Sequence, residues 1–161
     1  MRQTDYGYAL PRGVAGGIYD LSQKSIVTRL LDAGVKAVPG LGYVVGTTPG
    51  QTVAAAQSAS TAANFEGVFV HGSKNLENDR DGVVAAAGAD AIGIMKHGRI
   101  WVAVADTATT SYGKVVALIT DGDNAGMFTD SGDASETTKV TLEGKFLGVA
   151  DEENGIAVIE I

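Results

Sequence analysis

The sequence contains no cysteine. Disulfides, thiolate zinc sites and cysteine nucleophiles are therefore excluded, and stability must come from a packed core. At 161 residues that is feasible, because a chain of this length buries roughly 70% of its unfolded surface. Aromatic residues make up only 6%, which argues against a small-molecule or carbohydrate-binding module built on an aromatic-lined pocket. Charged residues are 19% against a usual ~25%, so part of the surface is expected to be covered. The charges are also unbalanced, with 12 Lys and Arg against 19 Asp and Glu. The net charge of −7 repels phosphate backbones, so nucleic acid is not an expected partner. No run approaches the ~20 apolar residues of a membrane span. Residues Met1 to Tyr6 open no apolar signal core, so the expectation is a protein made in the cytoplasm, without a membrane partner.

What the chain has in excess is glycine. Its 22 glycines are roughly twice the usual ~7% share, and they punctuate short apolar runs. That spacing predicts many short strands joined by turns. Strands are expected at Ile26 to Leu31, Leu41 to Val45, Phe65 to Val70, Ala91 to Lys96, Arg99 to Val104, Lys114 to Ile119, Thr137 to Leu142, Lys145 to Ala150 and Ile156 to Ile161. Gln51 to Ala63 reads as a short strand at Thr52 to Ala55 followed by a loop, with a single helical turn as the alternative. His97-Gly98 is expected to close a tight hairpin. Beyond it, Ile100, Val102 and Val104 share one strand face and Trp101 takes the other. Phe65-Glu66-Gly67-Val68 is weakly echoed at Phe146-Leu147-Gly148-Val149, through internal repetition or chance. About ten short strands with turns every 8–12 residues predict an all-β domain, a β-barrel or a jelly-roll-like sandwich.

Residues 1 to 24 differ. Tyr6, Tyr8 and Tyr19 stand in a Gly- and Pro-containing stretch with no helical or strand period. This suits an extended N-terminal arm with aromatic anchors, and a strand packing on its own domain is the alternative. Twenty extended residues span roughly 65 Å. The chain therefore divides into an arm, 1–24, and a β domain, 25–161.

Motifs for catalysis are missing. His71 and His97 each precede a glycine and have no partner at zinc-ligand spacing, which suits turn residues. Gly46-Thr47-Thr48-Pro49-Gly50-Gln51-Thr52 is too short for a phosphate loop and carries Gln51 where lysine is needed. Gly40 to Gly46 is one residue too long for a dinucleotide fingerprint. The Asp121-Gly122-Asp123-Asn124 and Asp130-Ser131-Gly132-Asp133 runs lack the register of a calcium loop. No enzyme, metal or cofactor is expected.

One resemblance covers nearly the whole chain. It rests on Phe65-Glu66-Gly67-Val68-Phe69-Val70-His71, a polar loop, Ala91-Ile92-Gly93-Ile94-Met95-Lys96-His97-Gly98-Arg99-Ile100-Trp101-Val102, Gly113 to Ala117, Lys145 to Val149, and Gly155 to Ile161. The Gly-rich N-terminal half, through Val44-Val45-Gly46 and Pro49-Gly50-Gln51, also fits. This order of pieces resembles the structural cement (capsid decoration) proteins of tailed bacteriophages. Tyr112-Gly113-Lys114 departs from the family's more usual Gly-Asp-Pro-type turn. The resemblance implies a non-enzymatic protein assembled in the host bacterial cytoplasm. It would sit on the outer capsid surface of the virion and stabilise contacts between major capsid protein subunits, commonly as a homotrimer. Contact with the capsid or between subunits is expected from Tyr6, Tyr8, Leu10, Arg12, Ile18 and Tyr19 of the arm. Trp101 is expected in the core or at a subunit contact.

Overall fold

The computed structural model describes residues 13–72, 77–78 and 84–161. In chain order its strands are β1 (Ser25–Leu31), β2 (Gly42–Val45), β3 (Thr52–Ala55), β4 (Phe65–Phe69), β5 (Glu77–Asn78), β6 (Val84–Ala85) and β7 (Ala91–His97). There follow β8 (Arg99–Ala103), β9 (Val115–Ile119), β10 (Phe128–Asp130), β11 (Lys139–Asp151) and β12 (Ile156–Glu160). The only helices among the described residues are two three-residue 3-10 turns, Ala62–Asn64 and Thr107–Thr109, so none is long and apolar enough to cross a membrane.

The all-β expectation is met by two layers. Five strands close a barrel in the order β1-β3-β2-β4-β7, and five form a sheet in the order β10-β9-β11-β12-β8. The sheet is antiparallel throughout, and in the barrel only β1 and β3 run parallel.

Alternation sorts the barrel's side chains into two cores. Tyr43, Val53, Phe69, Ile92 and Ile94 point into the barrel with Leu31. Their chain neighbours Val44, Val68 and Met95 point outward and meet Ile100, Val102, Leu118, Phe146 and Ile159 of the sheet. The barrel strands are thus buried on both faces where the sheet covers them, which explains their near-continuous apolar runs. Inside the barrel the Tyr43 ring packs edge-on against Phe69 at 6.3 Å. Its hydroxyl accepts the Val38 N–H at 2.9 Å, and burial pushes the phenol up to about 12.

The expected hairpin at His97-Gly98 does not form. β7 pairs with β1 and β4, whereas β8 pairs with β12. Gly98, at φ +132°, is instead the corner where the chain leaves the barrel for the sheet. A positive-φ glycine serves a corner as readily as a hairpin. It exchanges two backbone hydrogen bonds with Ile161, at 2.9 and 3.1 Å, which ties the chain end to that corner.

The two strands expected at 137–142 and 145–150 are one strand, β11, of 13 residues. Its register shifts between Thr141 and Lys145, and again between Phe146 and Ala150. Gly144 and Gly148 therefore mark bulges rather than ends. β4 is bulged beside Gly67 in the same way. Phe65 and Phe146 of the two echoed motifs both pack in the core between the layers. Thr52–Ala55 is a strand followed by a loop, as read from the sequence.

Candidate interaction surface

β8 is a sheet edge in the strand order, yet its outer side is occupied. Ile18 forms an antiparallel bridge with Ile100. The Gly16 N–H donates to the Trp101 carbonyl at 2.7 Å, the Trp101 N–H to Gly17 at 2.9 Å, and the Tyr19 N–H to Arg99 at 3.0 Å. Residues 16–19 thus pair with β8 through one isolated bridge and its flanking hydrogen bonds, and blunt an edge that would otherwise invite pairing. The same segment is tied to the barrel, because the His71 N–H donates to the Gly16 carbonyl at 2.7 Å. Gly16 sits at φ +78°, and a Cβ there would lie 2.7 Å from both the Phe69 oxygen and the His71 nitrogen.

Trp101 follows the alternation of β8. Ile100 and Val102 are fully buried between the layers, and Trp101 faces the other way, half-buried. Gly13 lies against its indole so closely that a Cβ on Gly13 would overlap the ring. Tyr19 meets the same ring edge-on at 6.0 Å.

Two residues before Trp101 on β8, Arg99 holds two carboxylates. Its Nη1 lies 2.9 Å from Asp20 Oδ2 and its Nε 2.7 Å from Glu160 Oε2. Lys145 adds a 3.5 Å contact to Glu160. The Ser22 hydroxyl and amide both donate to Asp20. These Ser22 bonds, with Arg99 adding, hold the Asp20 carboxyl below its ordinary value. Arg99 chiefly, then Lys145, does the same for Glu160.

The covering segment is itself apolar and exposed. Of the eight large hydrophobic residues exposed among the described residues, Val14, Ile18, Tyr19 and Leu21 fall within eight positions, and Leu21 is 95% exposed. Ile26 and Leu30 extend the exposure along β1, while Tyr112 and Val115 lie apart at the start of β9. Of the contact residues expected from sequence, Ile18, Tyr19 and Trp101 are brought together here. Tyr6, Tyr8, Leu10 and Arg12 lie outside the described residues. Val14, Leu21, Asp20 and Arg99 were not singled out by sequence. Leu21 had a signal, a large aliphatic alone among Asp20, Ser22, Gln23 and Lys24. The Asp20–Arg99 pair, 79 residues apart, had none.

Carboxylates elsewhere are occupied in holding the fold. Glu66 is buried against Arg29 at 2.7 Å and Lys96 at 3.3 Å. Asp130 pairs with Lys114 at 3.0 Å and accepts the Gly132 N–H. Asp133 accepts the Thr129 and Ser135 hydroxyls. Among the described residues no three His, Asp or Glu side chains gather as a metal site. A cleft of about 490 Å³ runs from Ser22–Ser25 to Gly98 and Glu160 and has no Tyr, Trp or Phe in its lining.

The body is all-β in two layers, and among the described residues four of the eight exposed large apolar side chains gather in the segment along one sheet edge. The whole chain, residues 1–161, matches the family described as structural cement protein (E217 gp24/Pam3 gp6), and the protein belongs to that family. It is a phage capsid cement protein: a structural, non-enzymatic component of the virion capsid that binds the capsid surface. Among solved structures it is similar to a chain of "The capsid of Myoviridae Phage XM1". That likeness has a TM-score of 0.71 at 15% identity and covers 98% of this chain and 96% of the other; it shows the fold. No curated protein matches the sequence.

Proposed function

We propose that this cement protein attaches to the major capsid protein on the outside of the head through its N-terminal arm, residues 1–24, as a homotrimer that clamps neighbouring capsomers. The observation that carries the arm reading is the exposure of Val14, Ile18, Tyr19 and Leu21 on the one stretch that covers the β8 edge. A protein whose other large apolar side chains are mostly buried gains most by covering that stretch. Burial contributes about 25 cal/mol per Å² of apolar area, against an ordering cost of about 1–2 kcal/mol for each backbone residue that is newly fixed. Residues 16–19 are already hydrogen-bonded to the sheet, so the ordering cost at this part of the arm is largely met on folding. The trimer is supported by the family resemblance, and repetition of weak contacts around a symmetric lattice would add avidity.

The test is co-sedimentation with undecorated capsids of the parent phage, alongside mass by light scattering. The full chain should pellet with shells and have a trimer mass. Protein lacking residues 1–20 should stay folded and remain in the supernatant. Full binding by the truncated protein would remove the arm from this reading, and a monomer mass at every concentration would remove the preformed trimer.

A further inference from the structure

We infer that Trp101 and Gly13 form a clamp that holds the exposed segment 13–20 on the sheet edge, making Trp101 a positioning residue for capsid attachment. This rests on the arm reading above and goes beyond it. The indole stands on β8, which is paired with β12 on one side and with residues 16–19 on the other, so the ring's base is fixed. Gly13 touches the face of that ring with no room for a side chain, and Tyr19 closes on it from the side. Further along, Gly16 is held between the two layers and Asp20 is held by Arg99. Residues 13–20 are thus fastened at three points while Val14, Ile18 and Tyr19 keep their exposure. Such a root fixes the backbone that presents Val14, Ile18 and Tyr19. A strip held in place before attachment has less conformational freedom to lose on binding.

A Cβ at position 13 must part residue 13 from the ring, because the two would overlap. Gly13→Ala is therefore the diagnostic change, since it leaves Trp101 and every other arm side chain in place. Trp101 is the protein's single tryptophan, so its fluorescence reports the clamp directly. Four variants are compared for shell binding and melting temperature, and the two that keep Trp101 also for emission maximum. Gly13→Ala should melt like the parent, emit at longer wavelength as the ring is uncovered, and bind shells roughly tenfold more weakly. Trp101→Phe keeps a flat ring and should bind near the parent level, whereas Trp101→Ala should bind as weakly as Gly13→Ala and melt like the parent. Protein lacking residues 1–20 loses the clamp together with Val14, Ile18 and Tyr19 and should not bind shells.

If Gly13→Ala binds like the parent while the 1–20 truncation does not, the clamp is overturned and the arm stands. An unchanged emission in Gly13→Ala also overturns the clamp. If the truncation binds fully, the arm reading itself fails and takes the clamp with it. Should Gly13→Ala not fold, Trp101→Ala, on the face of β8 turned away from the core, decides by shell binding alone, and binding at the parent level overturns the clamp.

Discussion

Ile100 and Val102, on one face of β8, are completely buried, whereas Arg99 and Trp101 on the other are covered only in part, by residues 13–20 of the same chain. The inner face meets Val68 and Met95 across the space between barrel and sheet, in one core with Phe146 of its own sheet. The outer face meets a segment that turns much of its own apolar surface to solvent. One strand therefore serves two ends: its inner side stabilises the fold, and its outer side holds in place the apolar strip that the proposed function sets against the capsid. A change on the inner side should cost stability and leave the binding of folded molecules intact. A change on the outer side should do the reverse.

The largest stability effect is expected at Phe146, which is fully buried between the layers. Phe146→Ala removes a ring from a packed interior and should cost about 3–5 kcal/mol in denaturant unfolding. The folded fraction should still sediment with shells. Loss of binding by folded Phe146→Ala protein would break the division between the two faces.

A smaller effect is expected inside the barrel, at Glu66. Its carboxylate is 8% exposed and lies against Arg29, itself 16% exposed. Glu66→Leu strands the Arg29 guanidinium in a poorly solvated place and should cost about 3 kcal/mol. Arg29→Met combined with Glu66→Leu should recover most of that, since an ion pair replaced by apolar side chains of similar volume is often neutral. A double mutant less stable than either single one would mean that the pair stabilises the fold in its own right.

The same contrast explains what could be read from the sequence. The inner face of β8 was legible because alternation of Ile100, Val102 and Val104 is a local pattern, and Trp101 was assigned to the opposite face on the same ground. The partners of that opposite face were less so. Tyr19 and Ile18 were named as contact residues from their aromatic and aliphatic character, but nothing local says that they fold back on β8. That pairing depends on Gly16 fitting between Phe69 and His71, some 55 positions away. The corner at Gly98 was mistaken for a hairpin because both need the same backbone conformation. Gly144 reads as a strand end because a bulge and a turn use the same residue. β10 was missed because three residues in an Asp- and Gly-rich loop carry too little pattern.

The smallest effect separates the outer face by pH. Arg99 ties Asp20 of the covering segment to Glu160 of β12, and both carboxyls are held below their ordinary values, Asp20 chiefly by Ser22 and Glu160 chiefly by Arg99. A carboxylate with a depressed pKa contributes stability that is present above its unfolded pKa and lost as pH falls through the folded one. The latch should therefore hold unchanged from neutrality to about pH 5 and loosen only below the ordinary carboxylate range of ~4. Trp101 emission, followed with far-UV circular dichroism to exclude unfolding, should stay constant above that range and move to longer wavelength beneath it. Asp20→Asn should show part of that shift already at pH 7, with a melting temperature close to the parent, because the pair is solvent-exposed and screened. A transition well above the carboxylate range would instead show that the Asp20–Arg99–Glu160 latch does not hold the strip, because both carboxylates stay charged there.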